Sequence, residues 1–324
     1  MPRISLLLLS IAGLAVATVE PGFSANVKIT PLGSHDGEFC ALDRAMVFED
    51  PDGTRILYDA GRTVRGPDDP RLGKIDGVLL SHVHLDHLGD MHSSAANAGE
   101  CAQPEFDVKD APSSNTEKIV VAKKAKFFVG GEMNSWFGVR IPAAGGDKSQ
   151  VITLRFGAVD KLGGISIWSV PAAHSNGISP VFLSGDLAKE MEANGLTAYV
   201  GPPGGYVLRF SNGLTVYLSG DTGVTADQDL VVRREFHVTL AVFNIANRVM
   251  TGPTEAAYVI NELVKPNAVI ASHANEMATK GGKLLPNTKT ATFKAETKVP
   301  VYLPLSGRTM EFGSDGKCHS GCQD

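Results

Sequence analysis

Residues 81–87 read SHVHLDH and hold three of the nine histidines of a 324-residue chain, together with an aspartate. The preceding residues, IDGVLL, form a short apolar run after a turn signal, which predicts a β-strand. Residues two apart in an extended segment lie on the same side, so His82 and His84 share one side at the end of this strand. Asp86 and His87 follow where the chain leaves the strand. The pattern predicts a strand, a turn and a helix, with polar side chains gathered at the turn.

The residue types at this turn indicate a metal site. Imidazole suits zinc and other transition metals, and a carboxylate adds a charged oxygen ligand. Four ligands so close in sequence cannot all bind one tetrahedral ion without strain. They fit two neighbouring ions better, each of which then needs further ligands from elsewhere in the chain.

Three other apolar runs end in a suitable ligand. His174 ends ISIWSVPAAH, Asp221 ends LTVYLSGD and His273 ends NAVIASH. Strand ends of this kind converge on one rim of a sheet, and a carboxylate such as Asp221 can bridge two ions. Each of the three alone would be interpreted as a surface histidine or a turn aspartate. Together with SHVHLDH, they favour a metal centre.

The rest of the chain alternates short apolar runs with turn signals. Asp52-Gly53 and Asn212-Gly213 each separate two such runs and predict β-hairpins. Gly252-Pro253 predicts the start of a helix that ends before Pro266. Hairpins in the first half and strand–helix–strand units later predict mixed sheets with helices outside, in one domain over residues 26–324.

The first residues predict export. Residues 4–17 are an apolar run of about 14 residues behind Arg3, within the range of a secretory signal and short of the ~20 residues of a spanning helix. Residues 1–25 are therefore interpreted as a signal peptide, cleaved after Ala17 or Ala25, and the mature protein as periplasmic or secreted. A buried N-terminal helix is the alternative. No later stretch of the sequence is long and apolar enough to span a bilayer.

Charge and cysteine content agree with an exported protein of small-molecule chemistry. A net charge of -5 and the absence of a long basic run do not indicate a nucleic-acid surface. The four cysteines suggest up to two disulfides. Local pairing of Cys318 with Cys322 would leave Cys40 for Cys101, but all three pairings are open from sequence. Zinc binding by CHSGC is disfavoured, because two cysteines and one histidine make an incomplete site.

SHVHLDH resembles the HxHxDH signature of the metallo-β-lactamase-fold hydrolases, and the later His, Asp and His follow in the order of that family. The resemblance covers residues 27 to 307. GDTGVTAD, TGPTEAA and KPNAVIASH are most similar to segments of metal-dependent hydrolases related to the ascorbate-6-phosphate lactonases. The fold implied is α/β: an αβ/βα sandwich of two mixed β-sheets with helices outside.

The resemblance also implies a role for each ligand. Two divalent metal ions are expected; zinc is the commonest in such sites, and manganese, iron, nickel and cobalt suit the same ligand types. Asp86 is in addition the predicted catalytic residue. The first ion would be held by His82, His84 and His174, the second by Asp86, His87 and His273, and Asp221 would bridge both.

Differences between this sequence and other proteins of the same fold disfavour several functions. β-Lactamases of this fold usually lack a histidine at the position of His87 and often carry a cysteine at that of Asp221. Redox di-iron relatives have a glutamate at the position of His84, which disfavours electron transfer. RNA-processing relatives carry additional RNA-binding elements, for which this sequence has no clear equivalent.

The predicted function is an exported binuclear hydrolase that opens a lactone or a similar ester. Water between two divalent ions loses a proton near neutral pH, and the resulting hydroxide attacks the carbonyl carbon, while Asp86 orients it and shuttles its proton. An N-acyl-homoserine lactone signal is one candidate substrate, which would make the activity quorum quenching. Hydrolysis of a β-lactam or a phosphodiester, and metal or solute binding without turnover, are the alternatives. Residues 95–118 and 177–205 are expected to be long loops that shape the pocket.

Six further residues are weaker candidates. Asp59 could accept a hydrogen bond from a ligand histidine, with turn capping as the alternative. His35 could lie near the metals or be an ordinary loop residue, and His92 is expected outside the centre. Three residues could touch substrate, although structural or solvent contacts are favoured for each: Asn244, Asn247 and Arg248.

Overall fold

The computed structural model describes residues 25–323, in which two large β-sheets lie face to face. The first sheet has eight strands and the second has seven. The predicted signal peptide lies outside the described residues except for Ala25, so it stays a prediction.

The first sheet is mixed. Its first four strands, in spatial order, pair in parallel, and the remaining pairs are antiparallel. In spatial order, the strands are Val151–Thr153, Lys126–Val129, Gly77–Leu79, Arg55–Tyr58, Met46–Glu49, Val27–Pro31, Met310–Phe312 and Cys318–Ser320.

The second sheet is also mixed. Its first four strands form antiparallel pairs, and the last four pair in parallel, with the fourth strand shared between the two patterns. In spatial order, the strands are Val159–Leu162, Ile165–Pro171, Gly204–Arg209, Thr215–Leu218, Leu240–Asn244, Ala268–Ser272 and Val301–Tyr302.

Three buried clusters hold the layers together. Between the sheets, Phe48 of the first sheet and Leu208 of the second belong to one apolar cluster. On the outer face of the first sheet, Phe127 packs against Phe137 of a helix, with ring centroids 4.7 Å apart. A third cluster joins the outer face of the second sheet to its own helices. The order of layers is helix, sheet, sheet, helix, which confirms the predicted αβ/βα sandwich.

Short helices cover the sheets and connect the strands. None of the helices within residues 25–323 has the length and apolar character needed to cross a membrane. The α-helices of this range are Leu85–Leu88, Asn115–Lys123, Met133–Ala143, Gly185–Ala193, Pro253–Tyr258 and Lys289–Glu296. Short 3₁₀-helices lie at Lys148–Gln150 and Pro180–Phe182, and π-helical turns at Gln228–Arg233 and Val259–Val264. Two-stranded ribbons pair Met91–His92 with Val108–Lys109, Gly99–Glu100 with Gln103–Pro104, Gly177–Ile178 with Ala198–Tyr199, and Thr279–Lys280 with Lys283–Leu284.

The structure confirms the turns that were predicted from local sequence signals, but not the predicted long loops. Both predicted hairpins form, with Gly53 at φ 86° and Gly213 at φ 93°, backbone angles that suit glycine. The predicted helix begins at Pro253 and continues to Val264, before Pro266. The prediction of a long loop over residues 177–205 is wrong, because this stretch folds into a ribbon and a helix. No side chain of this helix is buried. Residues 95–118 likewise contain short ribbons and the first turn of a helix capped by Ser114.

The cysteines form two disulfides. Cys40 pairs with Cys101 across 61 residues, and Cys318 pairs with Cys322. Cys40 is buried beside the loop that leads to Arg44, and the Ala41 amide donates to the Cys101 carbonyl at 3.1 Å. The first disulfide therefore ties the polar stretch that follows residue 95 to the loop before the second strand of the first sheet.

Candidate metal centre

The histidine-rich turn joins the strand Gly77–Leu79 to the short helix Leu85–Leu88, as its sequence predicts. His82 is fully buried, and its Nε2 lies 3.0 Å from Nδ1 of His84. The rings of His82 and His87 lie 4.1 Å apart, centroid to centroid. Gly89 ends the helix in a left-handed conformation.

The ends of three strands of the second sheet face this turn. His174 lies shortly after the strand Ile165–Pro171, and its Nε2 is 3.2 Å from Nδ1 of His84. Asp221 follows Thr215–Leu218, and His273 comes directly after Ala268–Ser272. The loops after the strands of both sheets therefore meet at one rim of the sandwich.

All seven predicted ligands come together at this rim. Three sets of side chains each offer ligand atoms within 4.8 Å of one another, and Asp221 belongs to the set that connects the other two. Their assignment as ligands stays a prediction. We call His82, His84 and His174 the first ligand group, and Asp86, His87 and His273 the second ligand group.

Two buried atoms without hydrogen-bond partners indicate whether the cluster suits a cation. Nε2 of His87 and Oδ1 of Asp221 are buried and have no hydrogen-bond partner among residues 25–323. They lie 3.2 Å apart, but the contact lacks the alignment of a hydrogen bond. Buried polar atoms are almost always satisfied, and a cation bound by both atoms would satisfy them. The donor set therefore fits a metal ion.

Asp59 orients the second ligand group. Its Oδ2 lies 2.8 Å from Nδ1 of His87, so it contacts a candidate ligand histidine, which is one of the two roles considered for it from the sequence. The same carboxylate accepts from the amide and the hydroxyl of Ser81, at 2.9 and 2.7 Å. Asp59 and His273 both have left-handed backbone angles, φ 43° and 47°. Such angles are uncommon for residues with a side chain, so Asp59 and His273 are both held in locally strained backbone.

The carboxylates of the centre are held ionised. Burial alone would raise the pKa of Asp86, but the Arg44 guanidinium and the His87 imidazole hold it well below its usual 3.8. Burial would likewise raise the pKa of Asp221, and His273 and His87 hold it well below 3.8. Ionised carboxylates are the form that binds a metal ion.

The electrostatic surroundings of the second ligand group favour a positive charge. Burial alone would lower the pKa of His87, yet Asp221, Asp59 and Asp86 raise it to about 10. The first ligand group differs, because burial and the nearby His87 hold the pKa of His82 well below 6.5. His82 is therefore neutral at pH 7 and presents a lone pair, while the surroundings of His87 attract a cation.

A family model described as a β-lactamase superfamily domain matches residues 54–274, which span the strand ends and all seven candidate ligands. The chain belongs to the β-lactamase superfamily. Among curated proteins of known sequence, it is similar to the UPF0173 metal-dependent hydrolase of Cupriavidus necator, with 27% identity over 270 residues and 81% of each chain covered. It is also 29% identical to that of Koribacter versatilis over 236 residues, which covers 72% of this chain and 82% of the relative.

Solved structures of the superfamily share its fold. The metallo hydrolase Igni18 of the archaeon Ignicoccus hospitalis superimposes with a TM-score of 0.57 at 21% identity, covering 89% of this chain and 98% of that one. The metallo-β-lactamase fold protein YhfI of Bacillus subtilis gives a TM-score of 0.52 at 14% identity, covering 88% and 99%. At these identities the likeness establishes the fold alone.

The weaker sequence candidates of this superfamily member lie outside the seven-residue cluster. His35 hydrogen-bonds to Ser34 and to the Gly99 carbonyl, and His92 lies 2.6 Å from the Asp110 carboxylate. Neither belongs to a set of candidate ligands among the described residues.

The three candidate substrate contacts differ in their surroundings. Asn244 is buried and hydrogen-bonds to Ser219 and Thr251, which is the structural role that sequence reasoning favoured. Asn247 and Arg248 are exposed, with left-handed backbone angles. A contact of either residue with substrate stays a prediction.

Arg44 is a residue of the centre that sequence reasoning missed. Its Nη2 lies 2.8 Å from Oδ2 of Asp86 and 2.7 Å from Nε2 of His273, and its side chain is only 2% exposed. The surrounding sequence, ALDRAMVF, has no spacing that marks a site. The one available signal is a charge immediately before a strand whose residues are almost all apolar.

A cavity of about 410 Å³ opens beside the centre. Its floor is the histidine-rich turn, including His84 and Asp86, and its opposite wall is formed by Ser175, Gly177, Ser179 and Thr197. Asn176, also missed from sequence, fastens this wall. Its buried side chain accepts from the Val83 amide and donates to the Gly201 carbonyl, both at 2.9 Å. One side chain thus connects the turn to both ends of residues 177–200.

Proposed function

We propose that the protein is a metal-dependent hydrolase that uses two metal ions to open a lactone or a similar ester. In this proposal, each ligand group would hold one ion, and the carboxylate of Asp221 would be shared between them. The proposal agrees with the similarity to proteins named metal-dependent hydrolases and adds the number of ions and the substrate class.

The position of Asp221 carries the proposal. Its Oδ2 lies 3.7 Å from Nε2 of both His82 and His174, which belong to the first ligand group. On the other side, Oδ1 lies 3.2 Å from Nε2 of His87, and Oδ2 lies 3.2 Å from Nε2 of His273. A single carboxylate between two half-complete groups is the arrangement that a bridging ligand requires. A closed structural zinc site needs only four ligands, so seven support an enzyme.

Two divalent ions, when bound, supply Lewis acidity and a water that ionises near neutral pH. Zinc is the proposed metal, and manganese, iron, nickel and cobalt suit the same nitrogen and oxygen donors.

The chain's own residues position the reactants. Burial lowers the pKa of His82, His84 and His174, so these imidazoles are neutral ligands at pH 7. Asp86 stays ionised and lines the cavity, where its carboxylate can accept a hydrogen bond from the attacking water and orient it. Its low pKa makes orientation its main role, and proton transfer a smaller one.

The cavity supports a small substrate with an apolar part. Its volume of about 410 Å³ suits a small molecule, and Val83 and Leu85 line it beside the polar groups of the centre. A lactone fits the proposed chemistry, because the ring oxygen leaves while it remains tethered to the acyl group. The resemblance of TGPTEAA and its neighbours to the ascorbate-6-phosphate lactonase relatives supports the same class. An N-acyl-homoserine lactone is the specific substrate proposed.

Export is part of the proposal. Pairing of all four cysteines agrees with folding in an oxidising compartment, as does the apolar run at residues 4–17. An exported lactonase would meet diffusing lactone signals outside the cytoplasm. N-terminal sequencing of protein from its native host should show cleavage after Ala17 or Ala25, and an intact Met1 would contradict export.

The function is tested with protein stripped of metal and reloaded with zinc or manganese. Initial rates are compared at equal concentration on an N-acyl-homoserine lactone, a simple lactone, a β-lactam and a phosphodiester. We expect ring opening of a lactone to be fastest, with metal-free protein as the control. A clear preference for the β-lactam or the phosphodiester would replace the substrate class, and lactone loss no faster than in the metal-free control would refute the proposal.

A further inference from the structure

The Arg44 guanidinium reaches the same atoms that the second ligand group offers to a metal ion. Its Nη2 lies 2.8 Å from Oδ2 of Asp86 and 2.7 Å from Nε2 of His273. Guanidinium N–H groups and a metal ion both need the lone pairs of these acceptors. The arginine and an ion on this side of the centre therefore share two of the three members of the group.

Arg44 is held firmly in this position. Its Nη1 donates to the Leu42 carbonyl at 2.6 Å, and its Nη2 lies 3.0 Å from Oδ1 of Asn275. With only 2% of the side chain exposed, the guanidinium cannot swing into solvent without breaking these contacts. An ion that binds to Asp86 and His273 must either displace Arg44 or lie next to its charge.

The charges of the centre are balanced for one ion. With the candidate ligand histidines neutral, as metal binding requires, the carboxylates of Asp59, Asp86 and Asp221 carry three negative charges and Arg44 carries one positive charge. The excess of two negative charges equals the charge of one divalent ion. A second divalent ion would leave the centre positive, with a fixed guanidinium in contact with its ligands.

We propose that Arg44 competes with the second metal ion for Asp86 and His273, so that the protein binds its first ion tightly and its second ion weakly. This inference rests on the two ligand groups of the proposed function, but not on the identity of the substrate. Arg44 thereby decides whether the centre works with one ion and a guanidinium or with two ions.

Calorimetric titration of metal-free protein with Zn²⁺ tests the competition without any substrate. Wild-type protein should bind two ions in separate steps. Arg44→Gln should bind the second ion at least about tenfold more tightly, equivalent to about 1.4 kcal/mol, because the competing charge is gone. Arg44→Lys keeps the charge and should keep the second step weak. The first step should be unchanged in both variants, which also shows that the first ligand group has folded.

Arg62→Gln is the matched control, because Arg62 pairs with Asp90 at 2.7 Å and contacts none of the seven candidate ligands. It should titrate like the wild-type protein. Two ions bound with equal affinity by the wild-type protein would overturn the inference, as would a second step no tighter in Arg44→Gln. If Arg44→Gln does not fold, the wild-type isotherm and Arg44→Lys still decide: a single wild-type step for two ions, or a tight second step in Arg44→Lys, refutes the competition. A failure of the proposed function would show in the substrate panel instead, with zinc binding intact.

Discussion

Nδ1 of His87 and Oδ2 of Asp59 lie 2.8 Å apart, and both side chains are almost fully buried. The Asp59 carboxylate also accepts from the amide and the hydroxyl of Ser81. Because an ionised carboxylate can only accept, Nδ1 of His87 carries the proton, and Nε2 has none when a metal is bound. The imidazole is thereby fixed in one tautomer and one orientation, with Nε2 toward Asp221. A carboxylate that is not itself a candidate ligand thus orients a candidate ligand.

Asp59→Asn should therefore weaken zinc binding by about 10- to 100-fold, because the NH2 group of the amide must then face a donor, either the Ser81 amide or Nδ1–H of His87. Competition titration with a chelating dye measures the affinity. Asp50→Asn is the matched control: Asp50 is equally buried, accepts from Ser211, and contacts none of the candidate ligands. Equal zinc affinity in the two variants would show that Asp59 has no orienting role.

Loss of a ligand should separate metal binding from turnover. His84→Ala and Asp221→Ala should each abolish turnover and lower the metal content, since each removes a donor of the cluster. Asp86→Ala should lower kcat by roughly 10²- to 10⁴-fold even where metal remains bound, because an orienting carboxylate is lost. Elemental analysis and lactone kinetics on the same samples measure both quantities. Asp186→Ala, at an almost fully exposed aspartate, is the control, and wild-type rates in Asp221→Ala would contradict the bridging role.

Removal of the Asn176 side chain should loosen the wall of the cavity. Asn176→Ala leaves the Val83 amide and the Gly201 carbonyl without their partners, at a cost of about 1–3 kcal/mol of unfolding free energy per buried group. We expect KM for the substrate to rise more than kcat falls, because the turn keeps its other contacts. Asn194→Ala removes only an exposed hydrogen bond and should leave KM unchanged. An equal change of KM in both variants would argue against the tether.

The buried carboxyl of Asp43 should make stability depend on pH. Burial raises its pKa from 3.8 to about 6, so its contribution is complete below about pH 3.8 and is lost as the pH rises through 6. The cost of ionising it above pH 6 is about 3 kcal/mol. Asp43→Asn does not ionise, so its unfolding free energy relative to wild type should rise between pH 4 and pH 8. Denaturant unfolding at each pH measures the difference, and a pH-independent difference would show that the carboxyl titrates normally.

The two disulfides should differ in their effect on stability. Because the Cys40–Cys101 bond closes a loop of 61 residues, its removal as a double serine variant should cost about 4 kcal/mol of unfolding free energy by the chain-entropy model. Removal of Cys318–Cys322, which spans only four residues, should cost about half as much. Chemical denaturation of both double variants measures this, and equal losses would mean that loop length does not set the cost.

The clustering of the candidate ligands could be predicted because they follow strands. Apolar runs end at His82, Asp221 and His273, and the ends of neighbouring strands must meet at one rim. Arg44 and Asn176 could not be predicted in this way. Each acts through contacts with residues more than 40 positions away, Arg44 with Asp86 and Asn176 with Val83, and no local spacing records such contacts.

The helix Gly185–Ala193 was missed for a related reason. A buried helix leaves a long apolar stripe in the sequence, whereas this helix has only nine residues and none of them is buried. Its start depends on a turn beside the cavity, where Gly185 has φ 71°. The pairing of the cysteines was also open, since only the three-dimensional path of the chain brings Cys40 to Cys101.

The left-handed backbone at Asp59 and His273 has a conformational cost that lowers the stability of the fold. Residues with a side chain adopt this conformation at a cost, and glycine adopts it freely. A search for heat-resistant variants guided by backbone energetics alone would therefore favour His273→Gly, which removes a candidate ligand. Backbone conformation favours glycine at position 273, whereas the proposed metal binding requires histidine. Laboratory evolution for stability should therefore keep His273 only when activity is selected at the same time.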